Sequence, residues 1–220
     1  VPITSAPHPS GAAGDGGSPG RTAVVVLAGG SSRRWGGRDK TAAVLAGRAV
    51  VLHVVDGARA ALGAGAPVIV VAPADHPAAD GLAAAGARVV REDPPGGGPV
   101  AGLAAGVAAL PPDVDVVAVV AGDVPFGGPA LDRTTRALRA DHGVDAVLGE
   151  DPLGRWQPLL GSYRVAALRT ALAAAPAEGR SARSVLGGLT VALAPVDTRE
   201  SLDLDSPEDL AVAAALLDPR

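Results

Sequence analysis

Short valine-rich runs separated by longer alanine- and leucine-rich segments set the strongest limit on what this chain can fold into. The runs fall at 22–27 (TAVVVL), 67–72 (PVIVVA), 87–90 (ARVV), 115–120 (DVVAVV), 144–148 (VDAVL) and 189–194 (LTVALA). Runs that are apolar almost throughout suit strands covered on both faces, which is the condition of a parallel sheet. The intervening segments carry the helical period. Val51, Val54, Val55, Ala58 and Leu62 share one face, and Leu131, Thr135, Leu138 and Arg139 repeat the spacing. The last helix is expected to start at SPED (206–209), with Ser206 as cap, Pro207 in the first turn and Asp209 reaching back. No segment recurs at a period of about 20–50 residues, so a solenoid is not indicated.

With 220 residues the chain is long enough for one domain with a full core. Residues 1–21 are rich in Pro, Gly, Ala and Ser and read as a disordered N-terminal tail, leaving 22–220 as the domain. The aromatic residues are Trp35, Phe126, Trp156 and Tyr163 alone, so the core must be built from small aliphatic side chains. A net charge of −4 gives no positive excess to hold a nucleic-acid backbone. Without cysteine, disulfides and thiolate metal sites are excluded. No window approaches the ~20 apolar residues of a membrane span, and the start lacks the cationic and apolar regions of a secretory signal. A soluble cytoplasmic protein without membrane contact is the expectation.

In open α/β sheets ligands bind beyond the C-terminal ends of the strands. Three segments occupy such positions: LAGGSSRRWGGRDK (27–40), REDPPGGGPVAG (91–102) and AGDVPF (121–126). In the first, Gly29-Gly30 lets successive N–H groups turn toward an anion, Ser31, Ser32, Arg33 and Arg34 add donors, and Gly36-Gly37 permits a second turn before Asp39-Lys40. This describes a phosphate cradle, but neither a Walker A loop nor a GxGxxG fingerprint is present. Lys40 is the single lysine among nineteen Lys and Arg residues. A compact ammonium on a flexible stem follows a moving phosphoryl oxygen in a way that a planar guanidinium does not, so a functional lysine is expected here, with chance survival of a single lysine as the alternative.

Asp123 ends a valine-rich strand, where Gly122 and Pro125 shape a tight turn. A triphosphate brings Mg²⁺, which accepts one or two carboxylates besides phosphate oxygens and waters. Asp93 precedes a Pro/Gly-rich segment that a base or ribose can approach, and a carboxylate can accept both N1–H and N2–H₂ of guanine. Trp156 could stack on a flat ring or simply pack; Arg180 and Arg183 could meet a substrate phosphate or solvent. No pair among His8, His53, His76 and His142 has metal-ligand spacing, and no GxSxG elbow occurs.

The motifs LAGGxSRRxGxxDK, REDPPGGGPVAGLAAG, AGDVPF, WQPLLGSY and DLDSPEDL resemble the molybdenum cofactor guanylyltransferase family, within the wider MobA-like nucleotidyltransferases, over roughly residues 22–215. The resemblance implies a Rossmann-like three-layer α/β/α sandwich with a mostly parallel sheet, of the nucleotide-diphospho-sugar transferase type. It implies transfer of GMP from Mg-GTP to the phosphate of molybdopterin, with release of pyrophosphate. The backbone at Leu27, Ala28, Gly29, Gly30 and Ser31 would hold the triphosphate, Lys40 and Arg34 would neutralise the departing pyrophosphate, Asp123 would carry Mg²⁺, and Asp93 would contact GTP. GTP and molybdopterin are the implied small-molecule partners, with transient contacts to other molybdenum-cofactor proteins. LAGG, where cytidylyltransferases commonly read LAAG, favours guanine. Asp203 and Asp205 stand where the family usually has Asn, which leaves a cofactor contact or a second metal contact there open; Val71, Ala72 and Pro73 stand where some relatives have an Asn, so CTP or another phosphorylated acceptor remains an alternative. A non-catalytic GTP-binding sensor is a more distant one.

Overall fold

A computed structural model gives the fold for residues 3–5, 20–29, 35–174 and 181–217. Eight strands form the central sheet: β1 (Ile3–Ser5), β2 (Arg21–Leu27), β5 (Val68–Val71), β6 (Arg88–Val90), β7 (Val114–Ala121), β8 (Ala146–Glu150), β9 (Trp156–Arg164) and β10 (Val191–Pro195). A hairpin of β3 (Val44–Leu45) and β4 (Arg48–Ala49) stands apart. The helices are α1 (Val50–Leu62), α2 (Ala79–Ala84), α3 (Pro99–Ala108), α4 (Gly128–Ala140), α5 (Val165–Ala174) and α6 (Pro207–Leu217). The strand order is β1-β10-β8-β9-β7-β2-β5-β6, and every pairing is parallel except those of β9. Within the first twenty-one residues, Ile3–Ser5 lies along β10 as an edge strand.

Alternation along β2 shows why two layers of helices are needed. Ala23 and Val25 pack with Val100, Leu103 and Val107 of α3. Val24 and Val26 point the other way, onto Val51, Val54, Val55 and Ala58 of α1 and Ala130 and Leu131 of α4. All four β2 residues are fully buried, and each valine side chain so removed from water contributes about 1.5–3 kcal/mol. The helical faces read from the sequence are the buried ones except at Leu62 and Arg139, which are half-buried, Arg139 turning to an ion pair with Asp115. Small residues let the layers close: a side chain at Gly128 of α4 would begin 2.5 Å from the Gly57 carbonyl of α1. The three-layer sandwich expected from the sequence is the fold observed.

The sequence reading lacks the short β1, β3 and β4 and also β9, which runs antiparallel between β7 and β8. Its sequence, WQPLLGSYR, contains Pro158, and proline normally argues against a central strand. The sheet accommodates it because the β8–β9 register breaks there: Gly149 pairs with Gln157, whereas Leu148 pairs with Gly161. The Pro158 carbonyl instead accepts the Tyr163 hydroxyl at 2.5 Å. Before α6, Asp209 Oδ2 accepts from Ser206 N–H at 2.7 Å and Ser206 Oγ at 2.9 Å, forming the cap anticipated at SPED. Among the described residues no helix is long and apolar enough to cross a membrane.

Candidate active site

Register positions the site. Leu27, the last residue of β2, pairs with Val71 of β5 on one side and Ala121 of β7 on the other, so three strands end at one level. The chain runs from β2 to β5 and β6 in one direction and then crosses back to β7, which makes the β2/β7 boundary the switch point of the sheet. A cleft of about 840 Å³ opens over these ends, lined by Leu27, Gly29, Lys40, Asp123, Glu92 and the 71–75 loop among others. Gly122 lets the two loops close on each other: its N–H donates to the Leu27 carbonyl at 2.8 Å, and a side chain there would begin 3.0 Å from Ala28 Cα.

Lys40 begins a single 3₁₀ turn, Lys40–Ala42, capped by Asp39, whose Oδ1 accepts from the Thr41 N–H at 2.8 Å and hydroxyl at 2.7 Å. Behind that turn lies His76, a buried residue from the loop after β5. Its Nδ1 accepts the Ala78 N–H at 3.1 Å, so the ring proton sits on Nε2, 2.9 Å from Thr41 Oγ1 and 3.3 Å from Asp39 Oδ2. One wall of the cleft is thereby tied to the turn that carries the lysine.

The Lys40 ammonium contacts Asp123 Oδ2 and lies 2.8 Å from Asp205 Oδ1. Asp205 reaches the site because Leu204, fully buried among Leu45, Val50, Trp35 and Phe126, anchors the DLD segment. The Leu204 N–H donates to the Asp123 carbonyl at 3.1 Å, and Trp35 Nε1 donates to the Leu204 carbonyl at 3.2 Å. Upstream, Arg133 of α4 makes a two-pronged ion pair with the buried Glu200 at 2.7 and 2.9 Å, fixing the turn from which the segment departs. Burial works against the Lys40 charge, but Asp123 and Asp205 together outweigh it and raise its pKa. Burial, then the charges of Asp205 and Asp123, push the Asp203 carboxyl above the usual range.

Of the anticipated site residues, Leu27, Gly29, Lys40 and Asp123 meet at this cleft. Ala28 is buried and its N–H is committed to the Val71 carbonyl at 2.8 Å, so the amides free to face an anion begin beyond it. Gly30, Ser31 and Arg34 lie outside the described residues, as does Arg180. Asp93 lines a second concavity with Arg88, Arg91 and Ala101, whereas its neighbour Glu92 lines the main cleft. Trp156 packs partly buried against the core on the α3/α5 face, and Arg183 donates to its carbonyl at 3.2 Å. His76, Trp35 and Leu204 were not singled out as site residues. For Leu204 the alternation in DLD is the local signal; His76 and Trp35 carry none.

Asp123 and Asp205 converging on one cation fit a divalent metal that takes two carboxylates and draws its other ligands from phosphate and water. Among the described residues no three acidic, His or Cys side chains are arranged to hold a metal by themselves. Two carboxylates and a lysine at the switch point of a parallel sheet are an arrangement suited to a nucleotide-binding α/β enzyme. Residues 24–195 match the family described as the MobA-like NTP transferase domain, and the chain belongs to that family; it is a nucleotidyltransferase. A molybdenum cofactor guanylyltransferase of Cereibacter sphaeroides is 36% identical over 201 residues, covering 88% of this chain and 95% of the relative. A 3-deoxy-manno-octulosonate cytidylyltransferase of Rhodospirillum centenum is 34% identical over 235 residues, covering 83% and 88%. In fold the chain is similar to molybdopterin-guanine dinucleotide biosynthesis protein A from Archaeoglobus fulgidus, with a TM-score of 0.68, 24% identity, and coverage of 90% of this chain and 99% of that one.

Proposed function

We propose that this protein transfers GMP from Mg-GTP to the terminal phosphate of molybdopterin, releasing pyrophosphate. The observation that carries the reading is the meeting of Lys40, Asp123 and Asp205 over the ends of β2 and β7, beside a cleft large enough for a nucleotide. An oxygen of the acceptor phosphate attacks the α-phosphorus in line, the bond to the bridging β-phosphate oxygen breaks, and the protein's task is positioning and charge stabilisation. Amides from Gly29 onward hold the triphosphate; Lys40, with Arg34, balances charge on the leaving pyrophosphate. Mg²⁺, held by Asp123 with Asp205 beside it, would supply Lewis-acid stabilisation of phosphate oxygens. For the base, Glu92 is a stronger candidate than Asp93 because it faces the cleft. The identity to the Cereibacter guanylyltransferase supports guanine and molybdopterin.

The comparable identity to a cytidylyltransferase favours a second reading, CMP transfer to another acidic acceptor. Pyrophosphate release measured with each of the four NTPs, with and without molybdopterin, separates them. The first reading expects release only with GTP and molybdopterin together. Release with CTP and no use of molybdopterin would replace it by the second, and tight Mg-GTP binding without release from any acceptor would leave a sensor. Lys40→Ala lowers turnover by ~10²–10³, the usual effect of losing one preorganised charge-stabilising group.

A further inference from the structure

Backbone contacts that do not involve the lysine hold the carboxylates around Lys40. Leu204 is buried in its own apolar cluster and its N–H is bonded to the Asp123 carbonyl, so Asp123 and Asp205 stay side by side whatever occupies the space between them. Asp203 adds a third acidic group within electrostatic reach of both. The turn at Lys40–Ala42 is fixed separately, by Asp39 and by the Thr41–His76 contact. Two independently anchored pieces of chain therefore bring one ammonium to the oxygens a divalent cation would need, Asp123 Oδ2 and Asp205 Oδ1. An ammonium and a metal cannot share those oxygens at contact distance without strong repulsion.

We infer that Lys40 is a built-in counter-ion that withholds Asp123 and Asp205 from free divalent cations, so that a metal is taken up only together with a polyphosphate that gives the ammonium another partner. This second role for the lysine rests on the reading of the site as one for a metal–nucleotide complex. It does not depend on which base or acceptor is used. Its consequence is an order of events: a free metal ion does not load first, and the acidic pair stays occupied by the ammonium until the nucleotide arrives.

The test is titration of the full-length protein with Mn²⁺ alone, the free ion followed by electron paramagnetic resonance, for the wild type, Lys40→Met and Lys40→Arg. Lys40→Met is expected to bind Mn²⁺ about tenfold or more tightly than the wild type, because a repelling unit charge at contact distance has gone. Lys40→Arg, which keeps the charge, is expected to bind as weakly as the wild type. Adding Asp205→Asn to Lys40→Met reverses most of the gain. If Lys40→Met proves too unstable to titrate, thermal unfolding gives the same information: Mn²⁺ should raise its Tm by more than that of the wild type. Equal Mn²⁺ affinity or equal Mn²⁺-dependent Tm shift in wild type and Lys40→Met, or a gain as large in Lys40→Arg, would overturn the inference. Nucleotide is absent throughout, so a failure of GMP transfer leaves the result standing, and the reverse holds too.

Discussion

Gly122→Ala examines how closely the two nucleotide-facing loops must approach. The added methyl would begin 3.0 Å from both Cα and Cβ of Ala28 and 3.1 Å from the Leu27 carbonyl oxygen. Comfortable carbon–carbon contact needs about 3.5–4.0 Å, so backbone has to move by about half an ångström or more. Nothing flexible is available to yield, because Ala28 is itself tied to Val71. Overpacking of this kind costs about 1–3 kcal/mol, and in a protein of this size each kcal/mol lowers Tm by about 2–4 °C, giving a fall of about 2–12 °C. The same movement separates Gly29 from Asp123, and since misplacement by 1 Å costs about 10²-fold in rate, a loss of about tenfold in pyrophosphate release follows. Gly128→Ala is the control: its methyl would meet the Gly57 carbonyl at 2.5 Å, a helix–helix contact away from the cleft. It should lower Tm at least as much while kcat stays within about twofold. Equal losses of activity in the two variants, or none in Gly122→Ala, would refute the idea that this approach sets the catalytic geometry.

Three further outcomes follow from the site. His76→Ala removes a buried partner of Thr41 and costs about 1–3 kcal/mol; isothermal titration should also show weaker nucleotide binding, and loss of stability with unchanged affinity would mean that His76 does not position Lys40. Asp203 has a folded pKa above its unfolded value, so its favourable contribution is fully present below the ordinary value near 3.8 and lost as pH rises through the folded value. Asp203→Asn should therefore raise Tm at pH 7, with the difference from wild type closing as pH falls toward about 4; a constant difference across that range would count against it. Glu92→Gln should weaken nucleotide binding more than Asp93→Asn in fluorescence titrations, because only Glu92 lines the main cleft; the opposite order would return the base contact to Asp93.

Local pattern was enough to read six of the eight described strands of the sheet, the apolar faces of α1 and α4, the SPED cap and the lysine at the end of the glycine-rich loop. Apolar periodicity and capping chemistry act over a few residues and survive in any fold that uses those elements. The antiparallel β9 was not legible, because Pro158 argues against a strand unless a register break is known to receive it. Nor could local pattern show that Asp205 lies against Lys40, 165 residues earlier in the chain, or that buried His76 braces the turn behind it. Those meetings depend on strand order and on Leu204 finding its cluster. The sequence by itself thus determined the order of strands and helices along the chain and the lysine, glycine pairs and carboxylates that follow the strand ends. Tertiary structure alone decided which carboxylates share the ammonium, since that contact exists only where the ends of β2 and β7 are brought level.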